Sequence, residues 1–515
     1  MGLHLPDAVR RHAGERGTSP ALTCDGRTTD YSELDSRTNR LARALLSAAP
    51  AGSRIGFLAR TRREPGEILV AAAKAGLVAV PLNWRLAVPE LAAVAADAGL
   101  RVLIAEPEFL PGALAVRRAM PGLLVVVIGA PHDHDTPAYE DWLASHPDDD
   151  PGRGSPADAD EVSLQLYTSG TTGVPKGVLL THRNLATDRA ELDAYLWDAG
   201  SVALNSLPMF HIAGVGWLGV ALAAGAHSLL LPEFTPDGAV EAIERAGVTH
   251  CFLVPSVLHM LTELPGIERR DLSRLRLIAY GSAPVTPTLL RRCLTVFGCG
   301  FMGKYGATET GGTVTQLLPH EHDPDGPGRH LLTSTGRPRS GVEVVIADPV
   351  TGRPLPPRTV GEIRTRSGRN TGGYWNRPEE TAALYAADGW LCTGDGGYLD
   401  EDGYLYITDR IKDMIITGGE NVYPVEVEAA LAEHPAVAEV AVIGVPDATW
   451  GEAVTAVVVP RRGVERPGEQ ELIDFTRERI ASYKKPRRVH FVEALPRNPN
   501  GKVLKYELRS GFAMH

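Results

Sequence analysis

The chain has 515 residues, 43% hydrophobic and 22% charged, and a formal net charge of −11. Its length suggests roughly three domain-sized units, and an acidic balance without a long basic tract argues against a nucleic-acid partner. The five cysteines (Cys24, Cys251, Cys293, Cys299 and Cys392) include no C-x-x-C pair, so the reduced thiols of a cytoplasmic enzyme fit better than a zinc site or disulfide framework.

The first ten residues lack the basic-then-apolar pattern of a signal peptide. Helices over 41–47 and 68–75 alternate with strands over 54–58, 101–105 and 123–129, the rhythm of βαβ units around a largely parallel sheet. Arg60, Arg62 and Arg63 read as a small solvated turn, weak support for contact with a membrane surface. The stretch 131–160 is rich in Asp, Pro, His and Gly and reads as a long surface connection. His132, Asp133, His134 and Asp135 within it read as a solvated run rather than a metal site.

Residues 212–231 form an apolar run of twenty, but they carry four glycines, His227 and Ser228 and lack interfacial flanks. A buried helix running into a buried strand fits better than a membrane span. The α/β alternation continues over 162–410, with glycine-rich turns at 280–284, 303–310 and 393–397. After 407–413 the character changes. A helix over 424–433, strands over 437–443 and 455–459, and a helix over 470–480 predict a separate small unit. The predicted fold class is α/β: a large N-terminal domain (1–411) of packed α/β subdomains, then a small mobile α+β C-terminal domain (412–515).

The most informative segment is 167–178, Tyr-Thr-Ser-Gly-Thr-Thr-Gly-Val-Pro-Lys-Gly-Val, between a predicted strand and a helical run beginning near Asn184. Its glycines let backbone approach a polyanion, while Thr168, Ser169, Thr171, Thr172 and Lys176 supply donors. That is chemistry for a nucleoside triphosphate. It is not a Walker A loop, because Gly177 follows Lys176 where Ser or Thr is required.

The segment resembles the phosphate loop of the adenylate-forming superfamily: acyl-CoA synthetases, stand-alone adenylation domains and beetle luciferases. Further motifs follow in that superfamily's order. They are Pro208-Met209-Phe210-His211, Gly281-Ser282-Ala283-Pro284, Tyr305-Gly306-Ala307-Thr308-Glu309-Thr310, Thr393-Gly394-Asp395, Asp409-Arg410, Gly418-Gly419-Glu420-Asn421 and 496–502, which ends in Gly501-Lys502. The resemblance covers almost the whole chain.

It implies ATP, Mg²⁺ and coenzyme A as co-substrates and cofactor. ATP or AMP would meet Thr168, Ser169, Gly170, Thr171, Thr172, Lys176, Gly281, Ser282, Ala283, Tyr305, Gly306, Asp395 and Arg410, the last two at the ribose. Glu309, with Thr168, would hold Mg²⁺. Thr308 would touch the α-phosphate, and His211 would sit beside the acyl carboxylate. Lys502 would bridge that carboxylate and the α-phosphate as two anions meet. Lys412 would be the hinge about which the small domain swings between half-reactions. Gly418, Gly419, Glu420 and Trp450 would line the CoA channel.

The segments 447–452, 482–486 and 418–424 look like the acyl-CoA synthetase branch, with a carrier protein as the alternative acceptor. A luciferase-like monooxygenase and a catalytically dead adenylate-binding protein are the other readings. The second is disfavoured because Lys176, Glu309, Asp395 and Lys502 are all present.

The implied acyl pocket comprises Phe210, Gly214, Gly216, Trp217, Tyr280 and Lys304. Small residues at 214 and 216 suggest room for a medium- or long-chain, aromatic or alicyclic acid. Malonate-activating relatives carry arginine where Lys304 stands, but their second arginine falls here on Met260. Lys304 therefore either meets an oxygen substituent of the substrate or lays its stem along the rim with its ammonium in water. The expected partners are a small carboxylic acid and no integral membrane, in a monomer or homodimer.

Overall fold

The computed structural model describes residues 2–512 apart from 131–132, 134, 153–157, 169–174, 284, 411–412, 414, 418–419, 423, 448–449, 481 and 498–502. The side chains of 409, 410, 416, 420, 421 and 506 are likewise outside the description. The chain divides into two compact units, one of residues 1–343 and 365–391, the other of 344–364 and 392–515.

The first unit holds two sheets. One has six strands in the order Leu124–Val127, Leu100–Ala105, Arg54–Leu58, Val78–Pro81, Val162–Thr168, Lys176–Thr181. Its strands are parallel except the last, which folds back as an antiparallel hairpin. The other has nine strands, with a parallel centre and antiparallel edges. The helix Arg63–Ala75 touches strands of both sheets and buries every residue but its first. Its charged residues are paired accordingly: Glu64 with Arg63, Glu67 with Arg37 and Lys74 with Asp35. Gly76, at φ +62°, ends it in the left-handed conformation that a Cβ penalises.

The apolar run at 212–231 folds as predicted, into the helix Ile212–Ala224 and the strand His227–Leu230. Among the described residues no helix is long and apolar enough to cross a membrane.

Three local expectations are corrected. The helical run expected near Asn184 is short. The strand Lys176–Thr181 comes first, and only then a single turn, His182–Leu185, capped by the Thr181 hydroxyl. The consecutive Val178, Leu179 and Leu180 are drawn into pairing with 162–168. The 131–160 connection is not wholly superficial. It contains the helix Tyr139–Ala144, whose Tyr139 is fully buried and donates to Glu67 Oε2 at 2.7 Å. The arginine cluster is not a solvated turn either. Arg60 pairs with Glu108 and Glu233, Arg62 with Asp25 and Glu106, and Arg63 with Glu64 and Glu140. Counter-ions, all but Glu64 distant in sequence, neutralise it and remove the support for a basic membrane patch.

The second unit contains most of a four-stranded sheet, Val342–Ala347, Gly361–Ser367, Leu391–Leu399, Leu405–Arg410. A five-stranded sheet, built on the long hairpin Val437–Asp447 and Gly451–Pro460, packs against the helices Pro424–Ala432 and Glu469–Arg477. The helices and strands predicted after 424 are all present.

Candidate active site

In the first unit the hairpin brings Thr168 and Lys176 opposite one another, at the two ends of the glycine- and hydroxyl-rich segment. Ser169, Gly170, Thr171 and Thr172 lie outside the described residues. Next to the second strand runs 371–375: Val178 bridges Tyr374, the Trp375 amide donates to Gly177 O (2.8 Å), and the Leu179 amide to Gly373 O (3.0 Å). This places the Tyr374 ring beneath the Lys176 ammonium, 5.3 Å from the ring centroid, a cation–π distance. The Tyr374 hydroxyl donates to Glu309 Oε1 at 3.0 Å. Burial, and then Glu309 itself, push the Tyr374 phenol up, so it stays a donor at neutral pH. A lysine, a phenol and a carboxylate thus converge beside the hairpin mouth, although the last two stand 65 residues apart.

Glu309 sits in a tight turn joining Gly300–Ala307 to Gly312–Leu317. Thr310 pins that turn. Its hydroxyl accepts from the Ala307 amide (2.9 Å) and donates to Gly312 O (2.7 Å). A side chain at Gly306 would collide with the Gly312 carbonyl, and one at Gly281 with the Lys304 carbonyl. The strands carrying the Gly281-Ser282-Ala283 and Tyr305-Gly306 motifs therefore approach more closely than any larger residue allows. Ser282 holds φ +68°, a left-handed value rare outside glycine. Thr308 lies in the same turn as Glu309, its carbonyl accepting from the Gly311 amide at 3.1 Å.

His211 caps the helix Ile212–Ala224, and its ring lies 4.4 Å from that of Phe210. The space a Cβ would take at Gly214 is filled by the Pro208 carbonyl, whereas Gly216 faces open space. The glycine at 214 thus serves the 208–211 turn rather than leaving room for substrate. Trp217 is 3% exposed and donates to Leu204 O at 3.0 Å. The Tyr280 hydroxyl is committed to His322 Nε2 at 3.0 Å. Burial holds His322 at about 4, so it is neutral. Its Nδ1–H donates to Leu318 O (2.9 Å), leaving Nε2 to accept from the tyrosine.

Lys304 does not send its ammonium to water. Nζ donates to the Tyr195 hydroxyl and lies 4.7 and 5.5 Å from the Tyr195 and Phe252 ring centroids. The nearby carboxylate of Glu191 is already claimed by Arg339 (3.1 Å) and Arg369 (3.7 Å). Burial, only partly offset by Glu191 and reinforced by the two arginines, lowers Lys304 from 10.5 to about 7.

In the second unit the strands Leu391–Leu399 and Leu405–Arg410 put Asp395 opposite Arg410. The Asp395 amide donates to Thr393 Oγ1 at 3.1 Å, and that hydroxyl donates to Ile363 O at 2.7 Å. Trp450 is 38% exposed, with the Arg487 guanidinium 3.5 Å above its ring. Glu420 opens the short strand Glu420–Val422. Lys412, Gly418, Gly419 and Lys502 lie outside the described residues, while Arg497 and Val503 pair as a bridge on either side of 498–502.

Comparison with known proteins decides the family. Residues 9–375 match the AMP-binding enzymes, and 426–502 match the C-terminal domain of the same enzymes. The chain belongs to the AMP-binding enzyme family. Like other AMP-binding enzymes of this group, it is an acid–thiol ligase that works through an adenylate. The fatty acid–[acyl-carrier-protein] ligase ScoC of Streptomyces coeruleorubidus is 41% identical over 97% of this chain and 95% of its own length. A feruloyl-CoA synthase of an Amycolatopsis species is 40% identical, over 96% of each chain. ATP-bound MatB from Rhodopseudomonas palustris superposes with a TM-score of 0.89 at 32% identity, covering 99% of both chains.

The motifs mark Lys176 and Glu309 as candidates but not Tyr374, which joins them. Tyr374 and Tyr195 were not singled out. The only signal for Tyr374 is the glycine pair before an aromatic pair at 372–375, in a segment that otherwise reads as a loop.

Proposed function

We propose that this enzyme activates a carboxylic acid as acyl-AMP and passes the acyl group to coenzyme A, releasing AMP and pyrophosphate. The observation that carries the reading is the convergence of Lys176, Tyr374 and Glu309 beside the 168–176 hairpin. The lysine meets anionic phosphate oxygens, and Tyr374 keeps the Glu309 carboxylate turned toward the same place. Glu309 and Thr168 offer the hard oxygen donors that suit Mg²⁺, and a cation held there would neutralise charge on the phosphates.

Asp395 would accept hydrogen bonds from the ribose hydroxyls, with Arg410 opposite it. His211, Thr308 and Lys502 would orient the acid carboxylate and the α-phosphate for in-line attack. The alternation about Lys412, with boundaries at 411 and 412, belongs to the same proposal. So does a channel at Gly418, Gly419, Glu420 and Trp450 that admits the thiol arm.

The acid we infer is medium- or long-chain, aromatic or alicyclic. Gly216 opens the proposed pocket, and Lys304 offers a cationic donor to an oxygen substituent. A carrier protein is the second reading for the acceptor, favoured by ScoC, whose name gives it an acyl-carrier-protein substrate. The deciding experiment is mass spectrometry of the protein incubated with ATP, Mg²⁺, CoA and a mixed pool of acids. Acyl-CoA products support the leading reading and name the acid. Acyl-AMP accumulating without thioester favours a carrier acceptor.

A further inference from the structure

Asp97 is the penultimate residue of the helix Val88–Ala98. A carboxylate there opposes the negative end of the helix dipole, so local preference does not explain it. Its partners do. Oδ2 accepts from the Tyr167 hydroxyl (2.7 Å), Oδ1 from Arg377 (2.7 Å), and the backbone carbonyl from the Trp375 indole N–H (2.9 Å). Gln165 extends the cluster, donating to the Tyr167 hydroxyl (3.0 Å) and accepting from Arg54 (2.8 Å). The Arg54 guanidinium lies 3.3 Å over the Trp375 ring.

Tyr167 immediately precedes Thr168, where the proposed phosphate loop leaves its strand. Trp375 immediately follows Tyr374, which holds Glu309. The Asp97 carboxylate therefore fastens Tyr167, at the base of the loop, to Arg377, three residues beyond the tyrosine that aims the proposed metal-binding carboxylate; the two lie 70 and 280 residues away along the chain respectively. Phe210, His211 and Lys304, the residues assigned to the acid, stand elsewhere in the chain, before the helix Ile212–Ala224 and on the strand Gly300–Ala307.

We infer that Asp97 is a positioning residue for the triphosphate: by tying Tyr167 to Arg377 through its carboxylate, it sets the spacing between the Thr168 and Lys176 pair and Glu309. The inference rests on the reading of 168–176 as a phosphate loop. Its consequence is selective. Loosening the tie weakens ATP binding and leaves acid binding alone, whereas a purely structural brace would disturb both.

The test measures KM for ATP and for the acid in the adenylation half-reaction, by pyrophosphate exchange, for Asp97→Asn, Tyr167→Phe, the double variant and Lys176→Ala. The expected result is a KM for ATP raised roughly five- to tenfold in each of the first two, with the acid KM within about twofold of wild type. The double variant should be no worse than the stronger single one, because both remove the same tie. Tyr167→Phe loses one hydroxyl from a core that otherwise stays filled, and keeps the test interpretable if Asp97→Asn folds poorly. Equal rises in both KM values, or changes in thermal stability alone, would overturn the inference. If Lys176→Ala raises the ATP KM and the Asp97 and Tyr167 variants do not, the positioning role fails by itself. If Lys176→Ala also leaves it unchanged, the loop reading fails first.

Discussion

Replacing Lys304 by methionine should make the stability difference from wild type depend on pH, in a direction the surroundings of the ammonium dictate. Burial brings Lys304 from 10.5 in the unfolded chain to about 7 in the folded one. At about 1.4 kcal/mol per pKa unit, this amounts to about 5 kcal/mol between protonation states. Water reaching the half-buried stem trims it to roughly 2–3 kcal/mol. Between about 7 and 10.5 the unfolded state holds the proton and the folded state does not, so wild-type stability rises with pH across that window. Below about 7 both states hold it, and the folded protein carries the full penalty. Methionine carries none at any pH, but it leaves the Tyr195 hydroxyl without its donor, a pH-independent cost of about 1–2 kcal/mol. Urea unfolding of Lys304→Met and wild type, compared at about pH 6.5 and about pH 9, should show the variant losing roughly 1–2 kcal/mol of relative advantage at the higher pH. A difference that stays constant across that range would refute the reasoning, since it would mean the ammonium is not desolvated as its neighbours imply. Activity gives a second readout. With acids bearing an anionic substituent, kcat/KM should fall as pH rises through about 7, while unsubstituted acids should show no such fall.

Lys502→Ala should abolish most acyl-adenylate formation yet spare thioester formation from supplied acyl-AMP. Equal loss in both would contradict the two-conformation mechanism. Tyr374→Phe removes the hydrogen bond to Glu309 and should lower the adenylation rate on the order of tenfold while raising the Mg²⁺ concentration needed for half-maximal rate; an unchanged Mg²⁺ dependence would show that Glu309 needs no support. Tyr139→Phe strips the buried Glu67 of one donor and should destabilise the first unit by about 1–3 kcal/mol in a melting experiment, with kcat/KM unaltered.

What the sequence disclosed and what it hid divide along a physical line. The strands, the buried helix at 212–224 and the small unit after 424 follow from periodicity and were readable because each is a local pattern. Lys176, Glu309 and Asp395 stand out as candidates because glycine and hydroxyl neighbours mark them. The residues that orient them carry no local mark. Tyr374 reaches Glu309 across 65 residues, and Arg377 reaches Asp97 across 280. Arg60, Arg62 and Arg63 looked solvated for the same reason, since three of their partners, Glu108, Glu140 and Glu233, lie in distant segments. Lys304 makes the strongest case. Its neighbours in sequence, Gly303 and Tyr305, say nothing of a desolvated ammonium. The groups that desolvate it, Tyr195 and Phe252, and the arginines that take up Glu191, come from four separate segments. A motif thus names candidate groups, while the tuning of those groups is a long-range property that only the folded chain assembles. Variation in acid preference is accordingly expected at Tyr195, Phe252 and Lys304 before it is expected in the nucleotide motifs.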